Sequence, residues 1–433
     1  MASTASLRAA ACAALSLCGL AGADHAGAQQ SPDCAPAWNV THVYVGGDLA
    51  SQDHINYLAN WWTQGDEPAS HNGPPGSAQP WTAQGACAGD GGGGPPSGID
   101  PIFANGFDGV REGFLFSPYK DATINMDWNS NRMRTAVLGS PIPLVGSGGL
   151  LPQHVPDLHA VTLAFATGEC GSENWGGVGA QAFADANIPA LANAGIDYVI
   201  STGGAAGAFT CASSAGLNQF IARYASPQLR GIDFDIEAGQ TPAQLQALVD
   251  AAAGAEATHP GLRFSFTLAT LAASDGSHGG VNATGDAVVR AVLGAGLSNY
   301  TINLMVMDYG AAGPAVCVVS GGICDMGASA IQAAQNLAHT YGVPLDRIEL
   351  TPMIGLNDVV SETFTLADVD TLSAWARSNG LAGVHYWSLD RDTPCAVSTG
   401  SASPICHSVT GLQPLAFTLR FVQATRATTT LRR

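Results

Sequence analysis

Three carboxylates alternate with apolar residues in one short stretch of the chain, Gly231-Ile232-Asp233-Phe234-Asp235-Ile236-Glu237. Successive side chains of a β-strand point to opposite faces, so Asp233, Asp235 and Glu237 share one face. Acids stacked in this way repel one another and are costly to desolvate, so stability alone would not select them. Repulsion of this kind raises the pKa of a carboxyl group, and a general acid that works near neutral pH needs a raised pKa. We therefore predict that these three residues are catalytic.

The surrounding pattern predicts an α/β fold with a TIM (β/α)8 barrel. A strand that is apolar outside and acidic inside suits such a barrel, whose catalytic groups lie at the C-terminal strand ends. The alternative, the polar face of an exposed antiparallel strand, would not need acids alone at every second position. Helices are predicted between strands, for example at Pro242–Ala253 and Leu366–Ser378, each preceded by a threonine that can cap it. The eight candidate strands are Gly113–Ser117, Ala160–Ala166, Tyr198–Thr202, Gly231–Glu237, Arg263–Ala269, Thr301–Met307, Ile348–Ile354 and Gly383–Ser388.

The chain divides at a Gly/Pro-rich linker, residues 88–98. Residues 1–28 have the pattern of a secretory signal peptide, with a basic residue, an apolar run and small residues at the end. Residues 31–87 are predicted to form a small all-β module. Residues 99–415 are predicted to form the barrel domain, and residues 416–433 a C-terminal tail, with a last helix starting near Leu412.

Cysteine count and charge limit the function classes. The formal net charge is −18 with only 16 lysines and arginines, which argues against nucleic acid and anionic membranes as partners. We expect a secreted, extracellular monomer that acts on a neutral substrate without a cofactor or a metal. Eight cysteines follow the signal, and none has the C-x-x-C spacing of zinc sites, so disulfides are predicted. Their connectivity stays open, and the simplest pairing is Cys34–Cys87, Cys170–Cys211, Cys317–Cys324 and Cys395–Cys406.

The small module is rich in aromatic residues. Trp61 and Trp62 would face opposite ways on a strand, so one can pack in the core while the other is exposed for stacking on a sugar ring. The segments Val43-Tyr44-Val45-Gly46-Gly47-Asp48 and Ala59-Asn60-Trp61-Trp62-Thr63-Gln64-Gly65 resemble the chitin-binding modules of carbohydrate-binding families 5 and 12. The resemblance implies that Trp61, Trp62 and Tyr44 bind substrate; a core that contains all these aromatic residues is the alternative.

Four motifs at predicted strand ends resemble bacterial chitinases of glycoside hydrolase family 18. The resemblance extends over nearly all of the chain from Phe114 to Asp390 and follows the same order. The motifs are Ser201-Thr202-Gly203-Gly204, Asp233-Phe234-Asp235-Ile236-Glu237, Asn303-Leu304-Met305-Val306-Met307-Asp308-Tyr309-Gly310 and Tyr386-Trp387-Ser388-Leu389-Asp390.

This resemblance implies a substrate-assisted, retaining mechanism. Glu237 would protonate the glycosidic oxygen, and Asp235 would hold the substrate's acetamide group, whose oxygen attacks the anomeric carbon. Asp233 would support this pair, although a structural carboxylate hydrogen-bonded to the barrel is the preferred interpretation. Asp308 would polarise the acetamide or orient Asp235. Trp387 would be the floor on which the sugar stacks.

Other residues of these motifs have less definite roles. Met305 and Tyr309 are predicted to contact substrate, with packing an equal alternative for Tyr309. The chain also departs from the family pattern at two positions. Arg230 stands where an outer aspartate is often found, and Met307 stands where many members have tyrosine.

We expect a chitinase that cuts β-1,4-linked N-acetylglucosamine chains. Barrel strands seven and eight are separated by only about 30 residues, too few for an extra domain, which indicates an open groove and cleavage within chains. The alternatives are a chitin-binding lectin of low activity and an endo-β-N-acetylglucosaminidase that acts on N-glycans. The presence of Glu237 argues against the first, and the chitin-type module argues against the second.

Overall fold

The computed structural model describes residues 34–40, 42–44, 47–61, 63–74, 77, 79–87, 113–237, 239–397 and 400–426. Contacts divide the chain into two compact units, Met1–Gly106 and Phe107–Arg433. The predicted signal peptide, the predicted linker and Trp62 lie outside the described residues, as do residues 427–433.

The described part of the first unit consists of short strands around a small aromatic core. Trp81 is fully buried, its indole N–H donates to the Asp66 carbonyl at 2.8 Å, and Tyr44 packs edge-on against it. The Cys34–Cys87 disulfide joins the two ends of this segment. Such a clamp stabilises a core that is small for its surface. The strands are Val43–Tyr44, Leu49–Gln52, Ile55–Ala59, Thr63–Gln64 and Trp81–Ala86, of which the second, third and fifth form an antiparallel sheet.

The second unit is built on one curled, wholly parallel sheet, consistent with a TIM-like domain. Apolar side chains such as Ile232 and Phe234 face the helices, where both are buried. The nine strands are Leu115–Phe116, Tyr119–Asp121, Ala160–Ala166, Asp197–Gly203, Leu229–Ile236, Arg263–Ala269, Tyr300–Met305, Ile348–Thr351 and Gly383–Val384. The first two are pieces of one barrel strand, so the others are here called barrel strands two to eight.

The broken first strand closes the sheet on itself. Its first piece pairs with barrel strand eight and its second piece with barrel strand two. The backbone N–H of Tyr119 also donates to the Tyr386 carbonyl just past strand eight, at 3.1 Å. A buried ion pair between Lys120 and Asp390, at 2.9 Å, crosses the same seam. The predicted first strand, Gly113–Ser117, therefore ends too early, because the seam continues to Asp121.

Helices alternate with the strands as predicted. The helix after strand four has a capping box, in which Thr241 accepts from the Gln244 N–H and the Gln244 side chain accepts from the Thr241 N–H. Thr365 and Asp368 form a second capping box. The helices are Leu150–His154, Ala180–Asn193, Ser214–Arg223, Pro242–Glu256, Ala283–Ala295, Met326–Tyr341, Leu366–Ser378 and Ala416–Thr425, with 3-10 turns at Leu345–Arg347 and Leu389–Arg391.

The last helix corrects one predicted boundary. Residues 416–433 were assigned to a C-terminal tail, but the last helix, predicted to start near Leu412, is Ala416–Thr425 and packs on the barrel. Phe417 and Phe421 are fully buried, and Phe421 stacks on Phe116 and on Tyr386. Apolar residues four apart lie on one helix face, so this segment covers the seam of the sheet. The domain therefore continues past residue 415.

The loops contain short pairs of strands. The four predicted disulfides are present. Within the described residues no helix is both long and apolar enough to cross a membrane. The short pairs are Arg134–Thr135 with Ile142–Pro143, Gly168–Glu169 with Phe209–Thr210, Asn174–Trp175 with Val178–Gly179, Val319–Ser320 with Ile323–Cys324, and Gly355–Leu356 with Thr363–Phe364.

Candidate active site

Barrel strand four brings the three predicted acids to different depths. Asp233 and Asp235 are 2% and 5% exposed and lie inside the sheet. The strand ends at Ile236, so Glu237 stands just beyond its C-terminal end and is exposed to solvent. The alternation along the strand therefore places two buried carboxylates beneath one accessible carboxyl group.

Asp233 is held by hydroxyl groups from three other strands. Its Oδ2 accepts from the Tyr119 hydroxyl at 2.9 Å and from Ser201 at 2.6 Å, and its Oδ1 accepts from Thr267 at 2.6 Å. The amide of Asn303 donates to both Tyr119 and Thr267, which ties strand six into the same network. Burial raises the pKa of Asp233 and these three hydrogen bonds lower it. The contacts agree with the preferred interpretation of Asp233 as a carboxylate hydrogen-bonded to the barrel.

A third buried carboxylate, Glu349, lies on strand seven. Glu349 accepts from Ser265 at 3.0 Å and Thr301 at 2.8 Å and forms an ion pair with Arg263. Burial alone would raise the pKa of Glu349, but Arg263 and His385 hold it well below its ordinary value. Glu349 is therefore a charged group, and its repulsion contributes to the raised pKa of Asp233.

The two glycines after Ser201 allow strand three to approach Asp235. Gly203 has φ +88°, and a β-carbon there would lie 2.1 Å from the Asp235 carbonyl oxygen. The N–H of Gly204 donates to that same oxygen at 3.1 Å. Only glycine suits this conformation and distance. The Ser-x-Gly-Gly motif thus supplies one hydroxyl to Asp233 and a close backbone contact to Asp235.

Asp235 and Glu237 both have raised pKa values. Burial raises the pKa of Asp235 well above its ordinary value, and the charges of Glu237 and Asp233 raise it further. Its Oδ1 is buried and accepts no hydrogen bond from the described residues. The pKa of Glu237 is raised because surrounding protein partly desolvates it, although the residue remains accessible, and the Ala205 N–H lowers it. Glu237 is thus the accessible carboxyl group of the pair, and Asp235 offers a buried oxygen that can accept a hydrogen bond.

Trp387 lies just past the end of strand eight. It is half-buried and stacks on Phe165, with ring centroids 5.5 Å apart and planes 19° apart. Its ring centroid is 6.1 Å from that of Tyr119, which in turn contacts Asp233. The indole therefore stands close to the acids, with part of its surface free. Phe165 was not among the predicted residues, because its contact with Trp387 joins strands two and eight, which are far apart in the sequence and meet only when the barrel closes.

Two curated proteins resemble this chain over more than half of its length. It is 27% identical over 435 residues to a probable bifunctional chitinase/lysozyme of Escherichia coli, covering 87% of this chain and 47% of that protein. It is 29% identical over 278 residues to endochitinase 11 of Metarhizium anisopliae, covering 56% and 51%. The chain thus spans about half the length of these curated relatives. No protein-family model matches the chain.

Solved structures agree with these relatives. The catalytic domain of a hyperthermophilic chitinase from Pyrococcus furiosus superimposes with a TM-score of 0.54 at 26% identity, covering 73% of this chain and 95% of that domain. The chain is similar to chitinases. Both curated relatives and the superimposed domain are named as chitinases.

The remaining predicted residues of the chitinase-like site lie after strand six. Met305 ends the strand and is half-buried, and Asp308 follows three residues later, also half-buried. Tyr309 is only 4% exposed, so the structure places it in the packed interior rather than on an open cleft wall. The pKa of Asp308 is raised by burial and by Asp358, and lowered by the Val359 N–H and Arg391.

The two departures from the family pattern have different surroundings. Arg230 forms an exposed ion pair with Asp197 at the start of strand four, 2.7 Å between nitrogen and oxygen. It lies three residues before Asp233, whose three hydroxyl partners leave the inner hydrogen-bond chain intact. Met307 is half-buried and brings no hydroxyl group to the site.

In the small unit, the predicted sugar-binding residues separate. Trp61 is 45% exposed, as a stacking residue requires. Tyr44 is only 5% exposed, and its hydroxyl accepts the Asn39 N–H at 2.7 Å. The prediction that Tyr44 binds substrate is corrected, because the ring fills the core against Trp81.

Proposed function

We propose that this chain is a secreted chitinase that hydrolyses β-1,4 linkages between N-acetylglucosamine units with retention of configuration. The observation that carries the proposal is the buried Asp235 beneath the accessible Glu237, with the pKa of both carboxyl groups raised by burial. The chitinase names of its relatives support the substrate class.

The chemistry divides between the substrate and these two residues. Glu237 gives its proton to the glycosidic oxygen as the bond from that oxygen to the anomeric carbon breaks. The acetamide oxygen of the sugar forms the new bond to the anomeric carbon, and Asp235 holds the acetamide N–H through its unpartnered Oδ1. A water molecule then opens the ring intermediate, with Glu237 taking its proton. Two displacements at one carbon give retention.

The raised pKa values suit these roles. A protonated Glu237 must persist near neutral pH, and its partial desolvation favours the neutral form. Positive charge develops on the acetamide group during attack, so a buried carboxylate beside it stabilises the transition state more than the ground state. Asp233 already accepts three hydroxyl groups, so it does not need Asp235 as a hydrogen-bond partner.

The short connection between strands seven and eight supports the proposal of cleavage within chains. Between strand seven and strand eight the chain contains only the short pair near residue 355 and the helix Leu366–Ser378. No further domain stands there to close one end of the site. Secretion is supported by the four disulfides, which persist in oxidising compartments.

The first prediction is that the purified protein releases reducing ends from colloidal chitin but not from cellulose or fully deacetylated chitosan. The latter two lack the acetamide nucleophile. Rapid NMR on soluble oligomers should show the β-anomer first. Binding without cleavage would indicate a lectin, and cleavage of N-glycan cores in preference to chitin would indicate an endo-β-N-acetylglucosaminidase. An α-anomer formed first would contradict the retaining mechanism.

The small unit is proposed to anchor the enzyme to solid chitin through Trp61. Deleting residues 1–98 and exporting the rest with a substitute signal should lower activity on insoluble chitin several-fold, since tethering raises the local enzyme concentration. Activity on soluble oligomers should hardly change, because Glu237, Asp235 and Trp387 lie in the second unit. Trp61→Ala in the full chain is the matched point variant. Equal losses on both substrates would contradict an anchoring role.

A further inference from the structure

Glu362 is a buried carboxylate to which the proposed mechanism assigns no role. It lies after strand seven, beside the short pair Gly355–Leu356 and Thr363–Phe364, and is 1% exposed. Its Oε2 accepts the Tyr309 N–H at 3.1 Å and its Oε1 accepts the Gly310 N–H at 2.9 Å. Both carboxylate oxygens are therefore directed at the backbone that immediately follows Asp308.

The contact is reciprocal. Asp308 Oδ1 accepts the Val359 N–H at 2.8 Å, three residues before Glu362 in the chain. The N–H of Glu362 in turn donates to the Val359 carbonyl at 2.8 Å. Each of the two loops thus uses one carboxylate to hold the backbone of the other. We refer to Asp308, Glu362 and these backbone partners as the loop clamp.

The clamped backbone has a conformation that needs support. Asp308 has φ +53°, in the left-handed region that residues other than glycine rarely adopt, and Gly310 follows with φ +102°. A non-glycine residue there costs about 1 kcal/mol or more, so its neighbours must hold it. The two N–H groups held by Glu362 belong to the next two residues, which fixes the direction in which the Asp308 side chain leaves the backbone.

Arg391, in the 3-10 turn after strand eight, brings a positive charge against the loop after strand seven. It is 1% exposed, and its guanidinium donates to the carbonyls of Ile354, at 3.0 Å, and Leu356. Arg391 lowers the pKa of Asp308, whereas Asp358 raises it. Burial and the charge of Asp308 raise the pKa of Glu362, while the two N–H groups lower it. The two carboxylates can therefore lie in one buried region because an oppositely charged group and backbone donors offset their repulsion.

We propose that Glu362 is a positioning residue for the hydrolytic reaction, acting by fixing Asp308 in the orientation that the site requires. This inference rests on the proposed function. Glu362 does not touch substrate; it acts through the Tyr309 and Gly310 peptide groups. If Glu362 only stabilised the fold, its substitution would lower the stability of the protein but would not change the turnover of the molecules that are folded.

The test uses Glu362→Gln in the full chain and the hydrolysis of a soluble chitin oligomer. Glutamine keeps the shape but replaces one accepting oxygen by an NH2 group, so one backbone N–H loses its acceptor. We expect kcat to fall about tenfold with a smaller change in KM, because small displacements of a catalytic group are costly. Circular dichroism and thermal melting confirm that the variant is folded.

Asp392→Asn is the matched control. Asp392 is also fully buried, and it accepts the N–H groups of Phe417 at 3.1 Å and Thr418 at 2.6 Å at the start of the last helix. Its substitution removes the same kind of bidentate backbone contact without touching the loop clamp. We expect a comparable loss of thermal stability and little change in kcat.

A double-mutant cycle with Asp308→Asn identifies the route of the effect. If Glu362 acts through Asp308, then Glu362→Gln should lower kcat by less than about twofold once Asp308 is already asparagine. Effects that multiply, or an unchanged kcat in the single Glu362 variant, would overturn the proposal. If Glu362→Gln does not fold, Glu362→Asp is used in the same cycle, and failure of both to fold would show a structural role and also overturn it. No hydrolysis by the wild-type protein would instead reject the proposed function.

Discussion

Glu237→Gln should lower hydrolysis of chitin oligomers by about a thousandfold or more while leaving their affinity nearly unchanged. Glutamine preserves the size of the side chain but cannot donate the proton that the leaving oxygen needs. Glu237 is accessible at the end of strand four, so the change opens no cavity, and the remaining amide oxygen can still accept the Ala205 N–H. Rates are measured by reducing-end release and affinity by isothermal titration with a soluble oligomer.

Asp250→Asn is the control for this experiment. Asp250 is exposed on the helix that follows the same strand, so its substitution removes one negative charge far from the proposed reaction. It should keep full activity. Wild-type rates in Glu237→Gln would reject Glu237 as the acid and, with it, the mechanism built on strand four.

Asp235→Asn should lower kcat by about a hundredfold, a larger loss than the loss in substrate binding. The variant keeps the shape of the side chain but removes the carboxylate charge that stabilises the developing positive acetamide group. Because only the transition state carries that charge, turnover suffers more than the ground-state complex. Steady-state kinetics on a soluble oligomer, together with the dissociation constant from titration, separate the two effects.

The same Asp235→Asn variant should be more stable than the wild-type protein at neutral pH. The pKa of Asp235 is well above its ordinary value in the folded protein, so ionisation favours the unfolded chain. Wild-type stability should therefore fall as pH rises from about 4, the ordinary pKa of aspartate, toward the raised pKa of the folded state. Asparagine cannot ionise, so the variant lacks this pH-dependent loss of stability. We expect the melting temperature of the variant to be roughly 2–5 °C higher than that of the wild type at pH 7.

This gain should vanish near pH 3, because there Asp235 is neutral in both the folded and the unfolded chain. Calorimetry of both proteins at pH 3 and pH 7 makes the comparison, with Asp250→Asn expected to show little change at either pH. If Asp235→Asn melted below the wild type at pH 7, the charge of Asp235 would stabilise the folded protein, and the prediction would be wrong.

The local pattern of the sequence determined the parts of the site that lie on one element. Period-two alternation is a property of a strand by itself, so it placed Asp233, Asp235 and Glu237 together before any partner strand was known. Helix ends followed from local chemistry too, and the capping threonines Thr241 and Thr365 lie where predicted. The resemblance to chitinases rested on such short runs, which is why it is strongest at the strand ends.

Only the tertiary structure decided which residues from distant parts of the chain meet. Tyr119 donates to Asp233 across 114 positions, and Glu362 holds Tyr309 across 53. Tyr44 became core rather than surface for the same reason, since its burial depends on where Trp81 packs. Such contacts depend on barrel closure and on strand register, which no window of neighbouring residues contains. The sequence therefore identified the acids of the site, and the closed sheet determined which side chains hold them in place.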